Sequence, residues 1–97
     1  HQMLPETYTL EQNYPNPFNP STTIKYGLPE MSKTRVSIFN LAGQEVILLV
    51  NEEQSAGWYE YSWNGIDQAG VPVATGIYFT RMQTQGYSSV VKMLFLK

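Results

Sequence analysis

The stretch "WYEYSWN", residues 58–64, decides the fold class, because its bulky side chains recur at every second position. Successive side chains of a β-strand point to opposite faces, so Tyr59, Tyr61 and Trp63 share one face while Trp58 lies on the other. We expect the first three to point into a core. The stretch therefore predicts a strand of a half-buried sheet.

Segments with the same character lie on both sides of this stretch. Their β-branched and aromatic residues predict further strands, in "STTIKYGL" (21–28), "KTRVSIFN" (33–40), "EVILLV" (45–50), "IYFTRMQT" (77–84) and "SSVVKMLFLK" (88–97). Turns at Gly43 and Gly86 predict two antiparallel hairpins. "GIDQAGVPVATG" (65–76) is interpreted as a connection with a short edge strand. This spacing is typical of an all-β, antiparallel sandwich of about seven strands.

The composition bounds the function as well as the size. The chain has 97 residues, a length that suits one domain with one core. Charged residues make up only 14% and the net charge is −2, which argues against a nucleic-acid partner. The chain begins with His1 rather than methionine. We therefore expect residues 1–9 to be the remnant of a linker from a longer protein, and residues 10–97 to form the single domain.

The residues that carry chemistry are sparse. The single histidine, His1, lies at the start of the chain and cysteine is absent, so we expect no catalytic site and no enzymatic activity. Asn64 and Asp67 in "NGIDQAG" offer oxygen ligands for calcium, but a turn stabilised by these side chains is the favoured interpretation. We expect no metal site and no cofactor.

Sugar binding is an alternative that depends on one residue. Carbohydrate-binding modules stack sugar rings on flat aromatic platforms, and Trp58 is the only residue of its aromatic run predicted to point outward. A single exposed tryptophan is a weak site. A carbohydrate-binding or structural accessory module of a secreted glycoside hydrolase therefore stays as the alternative function.

Residues 14–20, here called the ribbon, lie within "NYPNPFNPST" (13–22), which holds three prolines and three asparagines. Proline removes a backbone donor and disfavours helix in the residue before it, so the ribbon is predicted to be extended and to run along a sheet edge. There it would protect an edge strand from unwanted pairing. We expect Tyr14 and Phe18 to turn inward and fix the ribbon to the core.

An ordered series of motifs runs through residues 10–97: "LEQNYPNPFNPSTTIKYGLP", "VSIFNLAGQEV", "AGWYEYSWNGIDQAGVPVATGIYF" and the terminal "KMLFLK". The series resembles the type A C-terminal sorting domain of the type IX secretion system of Bacteroidetes, and more weakly the immunoglobulin-like domain of the flagellar hook-capping protein. The matching positions are Pro15, Asn16, Pro17, Phe18, Gly43, Gly57, Tyr59, Trp63, Gly65, Asp67, Gly70, Gly76, Tyr78, Lys92 and Lys97.

The resemblance implies an immunoglobulin-like sandwich that sorts and anchors a larger exported protein without catalysing a reaction. It implies three partners: the type IX translocon, a sortase-like peptidase and an N-terminal cargo domain, for which we expect a hydrolase. The location would be the outer-membrane surface or the medium, reached through the periplasm.

The last strand is the expected recognition element, because a terminal strand with free backbone edges can pair with a receptor. Its candidate residues are Val90, Val91, Lys92, Met93, Leu94, Phe95, Leu96 and Lys97. Leu94 and Leu96 share the face of Lys92, so they either form an exposed partner surface or cover the core. The same strand offers a route to self-association.

Overall fold

The computed structural model describes residues 3–97, which form two antiparallel sheets. The strands are β1 (Thr9–Leu10), β2 (Thr22–Leu28), β3 (Ser32–Asn40), β4 (Glu45–Gln54), β5 (Gly57–Trp63), β6 (Gly76–Gln83) and β7 (Ser88–Phe95). The first sheet has the order β1-β2-β5, and the second has the order β4-β3-β6-β7. The all-β sandwich predicted from the sequence is confirmed.

The pairing of β2 with β5 places the alternating aromatic side chains as predicted. Tyr26 lies opposite Tyr59, and Ile24 lies opposite Tyr61. Paired residues of an antiparallel ladder point to the same face, so all four side chains face the second sheet. Trp63, at the end of β5, is buried.

The two predicted hairpins are also present. The β3–β4 hairpin turns at Gly43 and contains two β-bulges, one between Val36 and Ser37 and one between Ile38 and Phe39. The β6–β7 hairpin closes through a hydrogen bond from the Thr84 N–H to the Tyr87 carbonyl, of 2.9 Å.

Three features of the fold differ from the sequence prediction. The edge strand expected within residues 65–76 is wrong, because this segment is a loop with one isolated bridge between Ile66 and Pro72. Strand β1 was not predicted, and the division at residue 10 falls inside it. The last strand ends at Phe95 and not at the last residue.

The first residues that the structure describes pack on the sandwich. Pro5 is buried, and the ring of Tyr8 stacks on that of Tyr87 with 5.4 Å between centroids. His1 and Gln2 lie outside the described residues. Among residues 3–97 no helix has the length and apolar character needed to cross a membrane.

The core consists of two clusters that lie one after the other along the strands. The phenylalanine cluster contains Phe18, Ile24, Ile38, Trp63, Tyr78, Met93 and Phe95. The tyrosine cluster contains Tyr26, Leu28, Val36, Val50 and Met82, with Tyr59 and Tyr61 packed against it.

Candidate recognition surface at the terminal strand

Strand β7 is an edge strand with two different faces. Met93 and Phe95 point inward and are buried, because they fill the phenylalanine cluster. The alternate residues point out of the sandwich: Val90 is 56% exposed, Lys92 is exposed, Leu94 is half-buried and Leu96 is 43% exposed. Of the two interpretations of the terminal leucines, the structure favours a surface position for Leu96.

The ribbon lies along the outer edge of this strand. The Phe18 N–H donates to the Leu94 carbonyl, and the Leu96 N–H donates to the Phe18 carbonyl, both at 3.0 Å. The Asn16 Oδ1 accepts a hydrogen bond of 2.9 Å from the Leu94 N–H. The Gln12 side chain adds a bond of 2.9 Å from its Nε2 to the Lys92 carbonyl. The edge position predicted for the ribbon is confirmed.

These bonds correct one expectation about β7. The strand was expected to present free backbone edges to a receptor, but its outer edge is occupied from the Lys92 carbonyl to the Leu96 N–H. A partner that contacts this half of β7 meets its side chains, because the backbone groups already have partners.

The two aromatic residues of the ribbon have opposite environments. Phe18 is 2% exposed, and its ring stacks on that of Phe95 with a centroid separation of 4.9 Å. Tyr14 is 80% exposed, so its predicted inward position is wrong. The reason is its backbone, which exchanges two hydrogen bonds with Thr23 of β2 and leaves the side chain in solvent. The ribbon thus joins β2 of one sheet to β7 of the other.

Gly65 lies against the same aromatic cluster. Its φ is +73°, and a Cβ on it would lie 2.7 Å from the Phe95 ring. Both its backbone conformation and the space beside it therefore require glycine. The other motif glycines with positive φ are in turns or at strand starts: Gly43, Gly57, Gly70 and Gly76.

The remaining motif residues have structural contacts. The Trp63 Nε1 donates to the Ile66 carbonyl at 2.8 Å, and the Tyr78 hydroxyl donates to the Ala74 carbonyl at 2.6 Å. Burial raises the pKa of Tyr78 above its usual value. The Tyr59 hydroxyl donates to the Ser55 carbonyl at 2.7 Å. These bonds fix the loops that follow and precede β5.

Asp67 stabilises its own turn. Its Oδ1 accepts hydrogen bonds of 2.9 Å from the Ala69 and Val71 N–H groups, which confirms the turn that the sequence favoured over a calcium site. A shallow cleft of about 620 Å³ lies beside it and is also lined by Asn40 and Glu45. Residues 3–97 contain no group of three or more His, Cys, Asp or Glu side chains placed to hold a metal ion.

Trp58, the candidate sugar contact, is half-buried. Its Nε1 donates to the Met3 carbonyl at 2.9 Å, and the Lys25 Nζ lies 5.0 Å from the centroid of its ring. The ring packs so closely on Gly27 that a Cβ there would lie 2.8 Å from its Cζ3 atom. Trp58 therefore covers the outer face of β2 and does not form a free, flat platform.

The sequence did not single out two contributors to this surface. Gln12 lies just before the ribbon, and a local pattern gives no sign that it would reach β7. Arg81 was assigned to a strand only, yet its guanidinium lies over the Phe39 ring, 4.4 Å from the centroid, on the outer face next to Val90. Alternation in "IYFTRMQT" places Arg81 on the same face as Phe79, and this is the sequence signal that could have identified Arg81.

The family model described as the FlgD Ig-like domain matches residues 18–87. No curated protein matches the sequence. Among solved structures, the dimeric latent PorU of Porphyromonas gingivalis superposes with a TM-score of 0.69 and 21% identity, over 92% of this chain and 9% of PorU.

Two further structures have the same fold. FLGD from P. aeruginosa gives a TM-score of 0.59 and 24% identity over 76% of this chain and 59% of its own. PorZ, described as an essential surface component of the type IX secretion system of P. gingivalis, gives 0.60 and 19% over 91% of this chain and 11% of PorZ. The chain thus spans only a part of each. The fold is an immunoglobulin-like β-sandwich.

Proposed function

This chain belongs to the family of FlgD Ig-like domains, and we propose that it is a non-catalytic sorting and surface-anchoring module of a larger exported protein. In this proposal the type IX translocon recognises the module and exports the attached cargo, a hydrolase, to the outer-membrane surface. A sortase-like peptidase is the second partner. The ordered motifs of residues 10–97 support the proposal, and so does the fold shared with PorZ, a surface component of that system.

The outward face of β7 is the observation that carries the proposal. It exposes Val90 and Leu96 to solvent, with the exposed Lys92 between them. Leu94 extends the same row. Exposed apolar residues grouped beside charged ones are typical of a surface that binds another protein.

The hydrogen bonds of the ribbon support recognition of this surface through its side chains. Because Asn16 and Phe18 occupy the backbone edge of β7 near its end, the translocon reads side chains here and does not add a strand. The ribbon also fixes the position of Leu94 and Leu96 relative to the core. In this proposal the proline-rich ribbon supports the recognition surface.

The test uses the full-length protein in its native host with the variant Lys92→Glu/Leu96→Ser. Both side chains are exposed, so the variant changes the surface and leaves Met93 and Phe95 in the core. We expect secretion to fall by at least about tenfold, as for the loss of one substantial contact. Deletion of residues 90–97 is less informative because it removes those two core residues.

The matched control is Lys33→Glu/Leu4→Ser, which makes the same changes at exposed positions outside β7 and its neighbouring clefts. It should be secreted normally. Circular dichroism of both purified variants should match that of the unchanged chain. Normal secretion of Lys92→Glu/Leu96→Ser, or an equal loss in the control, would disprove the proposed role of this surface.

A further inference from the structure

The two lateral sides of the sandwich differ in how they are closed. On one side β1 packs against β7, and the ribbon bonds to both β2 and β7. On the other side lies β5, the last strand of the first sheet. Within residues 3–97, β2 is the only segment whose backbone bonds to β5. The outer edge of β5 therefore has no strand or ribbon along it.

The ladder shows which backbone groups of β5 face outward. On β2, Thr23 and Lys25 direct their backbone groups away from β5, toward residues 11–14. In an antiparallel pair, alternate residues direct both backbone groups either to the partner strand or away from it. The even-numbered residues of β2 therefore bond to their odd-numbered partners on β5. The residues of β5 that direct N–H and C=O groups outward are Trp58, Glu60 and Ser62.

The inner side of this edge is incompletely covered. Tyr59 and Tyr61 of β5 and Leu49 of β4 pack against the tyrosine cluster, yet all three are half-buried. Trp63, at the end of the same strand, is only 1% exposed. A strand placed beside β5 would remove apolar area of the two tyrosine rings from water, which is favourable.

Two exposed carboxylates lie beside the edge, one on each face. Glu60 lies on the outer face of β5. Glu52 is turned to the inner side by its ladder with β3, and the Gln54 Nε2 bonds both to its Oε2, at 3.3 Å, and to the Tyr61 hydroxyl, at 3.2 Å. Neither carboxylate takes part in the one ion pair within residues 3–97. The edge is therefore negatively charged on both faces.

This charge indicates the kind of partner. Lys25 lies opposite Glu60 in the ladder, but its Nζ lies over the Trp58 ring, 5.0 Å from the centroid, and forms no ion pair. A second copy of the chain that paired through β5 would bring two Glu60 side chains to the same face, and like charges destabilise such a pair. Lysine or arginine on an added strand would attract the carboxylates instead.

We propose that β5 binds an extended, basic segment of a partner protein by strand addition along residues 58–62. The partner strand bonds to the outward backbone groups. Its basic side chains lie on the outer face near Glu60, and its alternate apolar side chains lie on the inner side against Tyr59 and Tyr61. The site contains no residue of β7, so it is separate from the surface proposed for sorting.

The test is a titration of the 97-residue chain, followed by amide chemical shifts, with a short capped peptide in which valine and lysine alternate. The amides of Trp58, Glu60 and Ser62 should shift at millimolar peptide. Ser62→Pro removes an outward N–H without removing a bond to β2, so it should weaken binding by about tenfold. Ser62→Ala keeps the N–H and should bind within about twofold of the unchanged chain.

Charge reversal keeps the test decisive if proline at residue 62 disturbs the fold. Glu60→Lys should weaken binding of the valine–lysine peptide by about fivefold and strengthen binding of a valine–glutamate peptide. The matched control is Glu53→Lys, the same change at an exposed residue whose ladder with Lys33 places it on the outer face of the second sheet. It should bind the valine–lysine peptide within about twofold of the unchanged chain.

Four outcomes would overturn the proposal: no shifts, shifts confined to β4 or β7, equal losses for the two charge reversals, or a dimer that forms through β5 and excludes the peptide. Peptide binding is measured without secretion, and the secretion variants leave β5 unchanged. The two proposals therefore fail separately.

Discussion

In the phenylalanine cluster, the aromatic rings of Phe18, Trp63, Tyr78 and Phe95 come from four separate parts of the chain. In the tyrosine cluster, Tyr26, Tyr59 and Tyr61 come from two neighbouring strands and stack nearly parallel, with interplanar angles of 15° and 4°. The first cluster holds the ribbon and β7 to the sandwich. The second mainly joins strands that already pair through their backbones.

The two clusters also differ in polarity. In the tyrosine cluster, the Tyr26 hydroxyl donates to the Gln54 Oε1, and the Gln54 Nε2 donates to the Tyr61 hydroxyl at 3.2 Å. In the phenylalanine cluster, Phe18 and Phe95 offer no polar atom, and their contribution is ring packing and area burial. We therefore expect loss of packing to be most harmful in the first cluster and loss of a hydroxyl in the second.

The largest effect is expected for Phe18→Ala. The ring is 2% exposed and contacts both Phe95 and Trp63, so its removal leaves a cavity where the ribbon meets β7. The free energy of unfolding should fall by about 3 to 5 kcal/mol. Urea unfolding followed by tryptophan fluorescence measures it.

Tyr14→Ala is the matched control within the ribbon, because Tyr14 is 80% exposed. It should change the free energy of unfolding by no more than about 0.5 kcal/mol. A loss below about 1 kcal/mol for Phe18→Ala would show that the phenylalanine cluster does not hold the ribbon.

A smaller loss is expected for Gly65→Ala, which tests the packing around the Phe95 ring of the same cluster. The new Cβ would lie 2.7 Å from the Phe95 ring in a backbone with φ of +73°. Crowding and the left-handed conformation together should cost about 2 to 4 kcal/mol.

Gly70→Ala separates these two contributions. Gly70 has a similar φ of +82°, but a Cβ there would meet no atom within 4 Å. It should lose only about 1 to 2 kcal/mol, the cost of the conformation alone. Equal losses for the two variants, measured by urea unfolding, would mean that Phe95 moves aside freely and that this cluster is loosely packed.

The sequence predicted the tyrosine cluster better than the phenylalanine cluster, and the reason is local geometry. Alternation within "WYEYSWN" and "STTIKYGL" is a property of each strand, so it places Tyr59, Tyr61 and Tyr26 without knowledge of the rest of the chain. Phe18 and Tyr14 were both expected inside, because they are the two aromatic side chains of the ribbon. Tyr14 was not distinguishable from Phe18, because the backbone bonds to Thr23 that turn it outward join different segments.

The candidate surface shows the same limit. The sequence identified β7 and, by alternation alone, placed Lys92, Leu94 and Leu96 on one face, but it left open whether Leu94 and Leu96 are exposed or cover the core. It did not show that the ribbon covers the backbone edge of β7, because the partners Asn16 and Leu94 are 78 residues apart. Nor does a pattern predict that Gln12 reaches Lys92. Contacts of this kind are decided by tertiary packing.

A smaller loss than for Phe18→Ala or Gly65→Ala is expected for Tyr26→Phe, which removes one hydroxyl from the tyrosine cluster and keeps the ring. Tyr26 is fully buried, so the Gln54 Oε1 loses its donor in a place that water does not readily reach. The free energy of unfolding near neutral pH should fall by about 1 to 2 kcal/mol. Tyr78→Phe in the phenylalanine cluster should lose less, because its acceptor is the carbonyl of the exposed Ala74.

Measurements at alkaline pH then separate the contribution of the Tyr26 hydroxyl to stability from that of its ring. Burial, with the neighbouring Tyr61, raises the pKa of Tyr26 far above its usual value. The folded chain therefore keeps a proton that the unfolded chain loses above about pH 10. Stability is complete below that pH and falls above it, by up to about 1.4 kcal/mol per pH unit for this group.

Tyr26→Phe lacks this group, so its stability should fall less steeply above about pH 10 and the gap to the unchanged chain should narrow. Urea unfolding at a series of alkaline pH values measures both slopes. If the two chains kept parallel slopes, the Tyr26 hydroxyl would have to ionise as readily in the folded chain as in the unfolded one. The tyrosine cluster would then be open to water, and burial of the Tyr26 hydroxyl would not explain how the two halves of the core differ.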